Sequence, residues 1–90
     1  MTNSDFLTQT TGKTGRYNPF FRELGLGMIR VMCDAGHDLI LLEDLYRRLE
    51  ISDKSSSAAN GVQYSVFDAK EMGLIENTEL RACYKVIADA

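Results

Sequence analysis

Positive charge is what this chain lacks most. Ten lysines and arginines stand against thirteen aspartates and glutamates, for a net charge of −3 and a pI near 5.0. Phosphate neutralisation supplies most non-specific affinity for nucleic acid, so a binder working by bulk attraction is excluded. Any such contact has to come from a local gathering of cations. Histidine occurs once, at His37 beside Asp38. A single histidine supports no Ser-His-Asp or Cys-His arrangement, so no enzyme is expected. Cys33 and Cys83 are too few for a disulfide framework and too widely separated for a zinc spacing. No metal or cofactor is expected, and a reducing cytoplasm is the expected compartment. No apolar run reaches the length of about 18 residues that a membrane helix needs. The opening residues, Met1-Thr2-Asn3-Ser4-Asp5-Phe6, have neither the basic nor the apolar region of a secretory signal. Thr11-Gly12-Lys13-Thr14 echoes a phosphate-binding loop, but Leu7 stands where that pattern needs its first glycine, which excludes a nucleotide hydrolase.

What is present reads as one small domain behind a polar arm. The chain has 90 residues, 44% of them hydrophobic, enough for a thin core. Residues 1–16 are polar and broken by Gly12 and Gly15, and are read as a flexible arm. Lys13, Arg16 and Arg22 make this the most positive stretch, with no acid between Asp5 and Glu23. The folded domain spans 17–90. Asn18-Pro19 is a helix start: asparagine caps and proline suits the first helical position. Phe21, Leu24, Met28, Val31, Met32 and Ala35 form the apolar stripe of this first helix, which Gly36 ends. Leu39-Ile40-Leu41 has β character. A second helix over 42–50 buries Leu42, Leu45, Tyr46 and Leu49, with Glu43–Arg47 and Asp44–Arg48 as i,i+4 pairs. A serine-rich stretch follows, and the next helix starts either at one of its serines or at Asn60, where Asn60 and Gln63 resemble a capping box. Its core side is Val62, Val66 and Ala69, with Phe67 alongside, and Gly73 stops it. Leu74-Ile75-Glu76, a turn at Asn77-Thr78-Glu79, and a strand from Leu80 to Ile87 read as a hairpin. Alternation turns Leu80, Ala82, Tyr84 and Val86 inward and Arg81, Cys83 and Lys85 outward, which makes Cys83 a free thiol.

Two stretches carry a family resemblance: Leu45…Leu49-Glu50-Ile51-Ser52, and Val62…Val66…Ala69…Met72-Gly73-Leu74-Ile75. Over residues 18–88 the chain resembles the winged helix-turn-helix DNA-binding superfamily. It departs from that pattern at Glu50, where glycine is common, and in the length of the turn from Ser52 to Asn60. The resemblance implies an α+β winged helix, with three helices and a C-terminal β-hairpin wing. It implies that the third helix is offered to the major groove of double-stranded DNA.

On that reading Gln63 and Tyr64 touch bases or sugars, with Asn60 beside them, since amides can pair with adenine. Lys54, Ser55, Ser56 and Ser57 position phosphates, Lys13 and Arg16 reach from the arm, and Arg81 stands on the wing. Between Ser55 and Arg81 two cations meet four acids. A small site-specific DNA-binding protein, such as a transcriptional regulator acting as a homodimer, is the leading expectation. Phe20, Phe21 and Ile29 are the expected dimer surface. The competing expectation, motivated by Glu76 and Glu79 on the wing, is an acidic protein-interaction module that docks as inhibitor or adaptor on a larger nucleic-acid machine.

Overall fold

A computed structural model describes residues 16–87. The arm expected over 1–16 lies outside them, apart from Arg16. The element order is α1 (Pro19–Asp34), β1 (Leu39–Leu41), α2 (Leu42–Arg48), α3 (Ser57–Glu71), β2 (Ile75–Asn77) and β3 (Cys83–Val86). Among the described residues this is an α+β arrangement of three helices and one antiparallel three-stranded sheet in the order β1-β3-β2. Ile40 lies opposite Tyr84, and Glu76 opposite Lys85, across the central strand β3.

Local chemistry sets the helix starts. The Asn18 side chain accepts the Phe20 N–H at 2.9 Å, and Pro19 occupies the first turn, where its missing N–H costs nothing. Ser56 caps α3 by accepting the Ala59 N–H at 3.1 Å. The start therefore falls in the serine run, and Asn60 lies inside the first turn of α3, not at its cap.

All three helices end in the same way. After α1, Gly36 N–H reaches the Cys33 carbonyl and His37 N–H reaches that of Met32, both at 3.1 Å. After α3, Gly73 bonds Lys70 at 3.1 Å and Leu74 bonds Ala69 at 3.0 Å. After α2, Glu50 bonds Arg47 at 3.1 Å and Ile51 bonds Tyr46 at 2.8 Å. These are Schellman closures, which need a left-handed residue just past the helix. Gly36 and Gly73 supply it at φ 89° and 77° at no steric cost, whereas Glu50 is held at φ 59° with a side chain in place.

The core gathers Ile29, Met32, Ile40, Leu45, Val62, Val66, Ala69 and Ile75, each at most 3% exposed. Helices α1 and α3 meet backbone to backbone. A Cβ on Gly61 would stand 2.5 Å from the Asn18 carbonyl oxygen and 3.0 Å from the Arg22 nitrogen. A Cβ on Gly25 would run into the Ser65 hydroxyl. That hydroxyl is buried and donates to the Val62 carbonyl.

This contact turns α1 away from its expected stripe. The buried face is Gly25, Ile29, Met32 and Cys33, while Leu24 and Val31 are 39% and 61% exposed. Ile29, expected on a dimer surface, is fully buried, and Phe21 is half-buried against the core. Phe20 alone of that trio stands well out, at 65% exposure. Three further expectations are corrected. Phe67 faces solvent. Strand β3 begins only at Cys83, because Ala82 adopts φ 57° and breaks the extended run, leaving Leu80 exposed in the turn. Cys83 is itself buried, so no exposed thiol results; Tyr84 and Val86 do pack on the core.

Two substitutions should move stability in opposite directions. Gly61→Ala forces the α1–α3 contact apart and is expected to cost about 1–3 kcal/mol. Glu50→Gly relieves the left-handed residue and is expected to add about 0.5–1 kcal/mol. Urea denaturation followed by circular dichroism measures both, and the same sign for the two would contradict this account of the backbone.

Candidate nucleic-acid interface

Helix α3 has one face held against α1 and one face turned to solvent. The held face is fixed by Arg22, whose Nε and Nη2 donate to the two Asp68 carboxylate oxygens at 2.7 and 2.8 Å. Its Nη1 donates to the Tyr17 hydroxyl at 3.0 Å. The Tyr17 and Tyr64 rings stand 4.3 Å apart, and the guanidinium carbon lies 5.4 and 5.2 Å from their centres. The Asp68 hydrogen bonds, set against partial burial, raise the Arg22 pKa further above its ordinary range, so this cation stays charged and committed. A fork of this kind has a geometry that lysine cannot reproduce.

The outward face carries Ser57, Gln63, Phe67 and Glu71, all exposed, with Asn60 and Tyr64 half-buried among them. Asn60 donates its side-chain amide to the Arg16 carbonyl at 2.8 Å, and Asn18 N–H reaches the Ser57 carbonyl at 3.0 Å. The segment entering α1 thus runs along the first turns of α3 and sets Arg16 beside Asn60. Gln63 leans toward α2, donating to the Tyr46 hydroxyl at 3.0 Å. Tyr64 is turned to α1 by its ring contact with Tyr17.

The turn before α3 is ordered by its own acids. Asp53 accepts the Ser55 N–H at 2.9 Å and the Ser55 hydroxyl at 2.7 Å, which lowers its pKa below the usual carboxylate value. Ser56 is engaged as the cap. Lys54 pairs with Glu43, so the expected Glu43–Arg47 pair gives way to one acid serving two arginines: Asp44 accepts from Arg47 and Arg48 at 2.8 Å each. Both hydrogen bonds lower the Asp44 pKa. Among the described residues, Arg16, Arg30, Arg81 and Lys85 enter no ion pair.

Beyond α3, the turn between β2 and β3 is pinned by Thr78, whose hydroxyl accepts the Leu80 N–H at 3.1 Å and donates to the Cys83 carbonyl at 2.8 Å. Glu76, Glu79, Leu80 and Arg81 are exposed around it. Lys70 donates to Asn77 at 3.2 Å and sits 5.5 Å from the centre of the Tyr84 ring, tying α3 to the hairpin.

The structure therefore brings Arg16, Ser57 and Asn60 together and sets Gln63 on the same helix nearer α2. It pairs Lys54 with α2, uses Ser55 and Ser56 inside the turn, and leaves Arg81 on the hairpin. Lys13 lies outside the described residues. Phe67 was missed as a surface residue, although it lies four positions after Gln63 and off the Val62–Val66–Ala69 stripe. Among the described residues no group of three histidine, cysteine, aspartate or glutamate side chains could hold a metal ion, and no helix is long and apolar enough to cross a membrane. No protein-family model, curated protein or solved structure matches the chain.

Asp68→Asn leaves the Arg22 charge without its counter-ion and is expected to cost about 1–2 kcal/mol, after allowance for partial exposure. Asp44 carries the pH signature. Its lowered pKa adds stability that is complete above its unfolded value, 3.8, and is lost as pH falls through the lower folded value. Melting temperatures at neutral pH and near pH 3 should thus converge in Asp44→Asn relative to the parent chain, and an unchanged difference would contradict this assignment.

Proposed function

We propose that this chain is a winged-helix protein that presents α3 to the major groove of double-stranded DNA. The observation that carries this reading is the outward face of α3. It is a polar and aromatic probe of Ser57, Gln63 and Phe67, on a helix braced from behind by α1 and flanked by the β2–β3 hairpin. Element order is compatible with it: three helices followed by the β2–β3 hairpin, within one three-stranded antiparallel sheet.

Each residue has a role on this reading. Gln63 exchanges its bond with Tyr46 for an adenine edge, and Phe67 lies against thymine methyl groups. The N–H groups of the first α3 turn, with the Ser57 hydroxyl, hold a phosphate. Arg16, Lys54 and Arg81 are the phosphate clamps, with Lys13 from the arm. Lys54 is available because an exposed ion pair such as Lys54–Glu43 contributes little and yields readily to a better partner. Arg22 is not available, being held bidentately by Asp68.

A second reading has its own observation. Phe67 and Leu80 are 54% and 69% exposed, and Glu76 and Glu79 lie between them in sequence, a combination suited to docking on a basic protein surface. Fluorescence anisotropy with a labelled random duplex at about 20 and 200 mM salt separates the two. The DNA reading expects binding whose log–log salt slope is shallow, on the order of −2 to −4 for a few phosphate contacts, and less steep by about one in Lys54→Ala. Gln63→Ala should keep affinity for random duplex and relax the preference selected from a randomised pool. No binding at low salt overturns the DNA reading in favour of the interaction module.

A further inference from the structure

The outer face of α1 carries apolar residues that nothing among the described residues covers. Phe20, Leu24 and Val31 are 65%, 39% and 61% exposed, and Gly27 stands between them with nothing within 4 Å of where its Cβ would be. The spacing is four, three, four. That is a coiled-coil seam over two heptads, on the side of the helix away from Ile29. Glu23 and Arg30, both exposed, flank the seam seven residues apart, and neither enters an ion pair among the described residues.

The geometry points to a two-fold dimer in which α1 packs antiparallel against α1 of a second copy. Antiparallel seams put Phe20 on Val31 of the other copy and Leu24 on its Gly27. The leucine then fills the notch that the glycine leaves. The flanking charges select this occupant: antiparallel pairing brings Glu23 of each copy to Arg30 of the other, twice by symmetry. A parallel pairing would stack Gly27 on Gly27 and leave a void. The surface is thus complementary to itself, in shape and in charge, in one orientation. Of the Phe20, Phe21 and Ile29 surface expected from sequence it keeps Phe20 alone, and it does not depend on what α3 contacts.

One 16-residue helix from each copy gives a small interface. Interfaces below the standard size hold transiently, so a dissociation constant on the order of 10–100 µM is expected. Sedimentation equilibrium of the full chain over a range of concentrations measures it. Val31→Glu should abolish association while circular dichroism shows the fold kept, since the residue is exposed. Glu23→Arg and Arg30→Glu should each weaken self-association roughly 3–10-fold, because each makes the flanks alike in sign. An equimolar mixture of the two variants should associate as well as the parent, since both flanking contacts between unlike copies then join opposite charges again. A chain that stays monomeric to about 500 µM overturns the proposal. So does a dimer indifferent to Val31→Glu, or a mixture no tighter than either variant alone. DNA binding by a strict monomer would overturn this dimer and leave the α3 reading standing.

Discussion

The rest of the molecule depends on how closely α1 lies against α3. Gly25 and Gly61 have no Cβ to hold the helices apart, and the Asn18 carbonyl and Arg22 amide fit where a Gly61 side chain would be. Glycine inside a helix costs about 1 kcal/mol against alanine. A chain this short has little core with which to offset that cost. Here two helical backbones at short range make a core from few side chains. The Arg22–Asp68 fork then fixes the position of one helix along the other, and the Tyr17 and Tyr64 rings limit how far the guanidinium can move. The outward face of α3 is firm because its back is locked.

The second constraint is the repeated helix closure. Each Schellman end reverses the chain within a few residues, and each uses a left-handed position. At Gly36 this delivers the chain to β1, and at Gly73 to β2. At Glu50 it delivers the chain to the turn before α3, with a residue that tolerates the conformation poorly. Ile51 N–H bonding to Tyr46 links this turn to the residue whose hydroxyl receives Gln63. The turn after Glu50 and the pose of Gln63 therefore meet at one residue, Tyr46, through its backbone carbonyl and its hydroxyl respectively.

What could be read from sequence was what local chemistry decides. Asn18-Pro19, Gly36 and Gly73 mark helix ends within single turns, and the Leu39-Ile40-Leu41 run marks its strand. The face of α1 could not be read, because hydrophobic periodicity gives glycine no weight. Here the glycine is the centre of the buried face, so the pattern chose Leu24 and Val31 over Gly25 and Ile29. Strand β3 was read too long because alternation does not reveal a left-handed alanine at position 82. Of the candidate site, the α3 residues were legible from their polarity. Their orientation was not, since it is set by partners distant in sequence: Arg16 for Asn60, Tyr46 for Gln63, Tyr17 for Tyr64. Lys54 with Glu43 is the same case, being an ion pair across a turn.

The cations divide by how strongly they are held, and that division bears on function more than their number does. Arg22 is committed, with both carboxylate oxygens and two rings engaged. Arg47 and Arg48 share one acid, so that cluster keeps an unneutralised positive charge. Lys54 is loosely paired, and Arg16 has no acidic partner among the described residues. A net charge of −3 repels a polyanion at long range, but at about 0.1 M salt that field fades beyond roughly 10 Å. Inside that distance the side nearest α3 presents exchangeable cations, helix N–H groups and neutral amides. On the proposed DNA reading, contact made this way would gain little from counter-ion release, so most of its selectivity would have to come from the fit of Gln63 and Phe67 to base edges. Two such probes held in fixed relation by a second copy would gain more than one probe with additional lysines, because lysines would strengthen binding to every sequence equally.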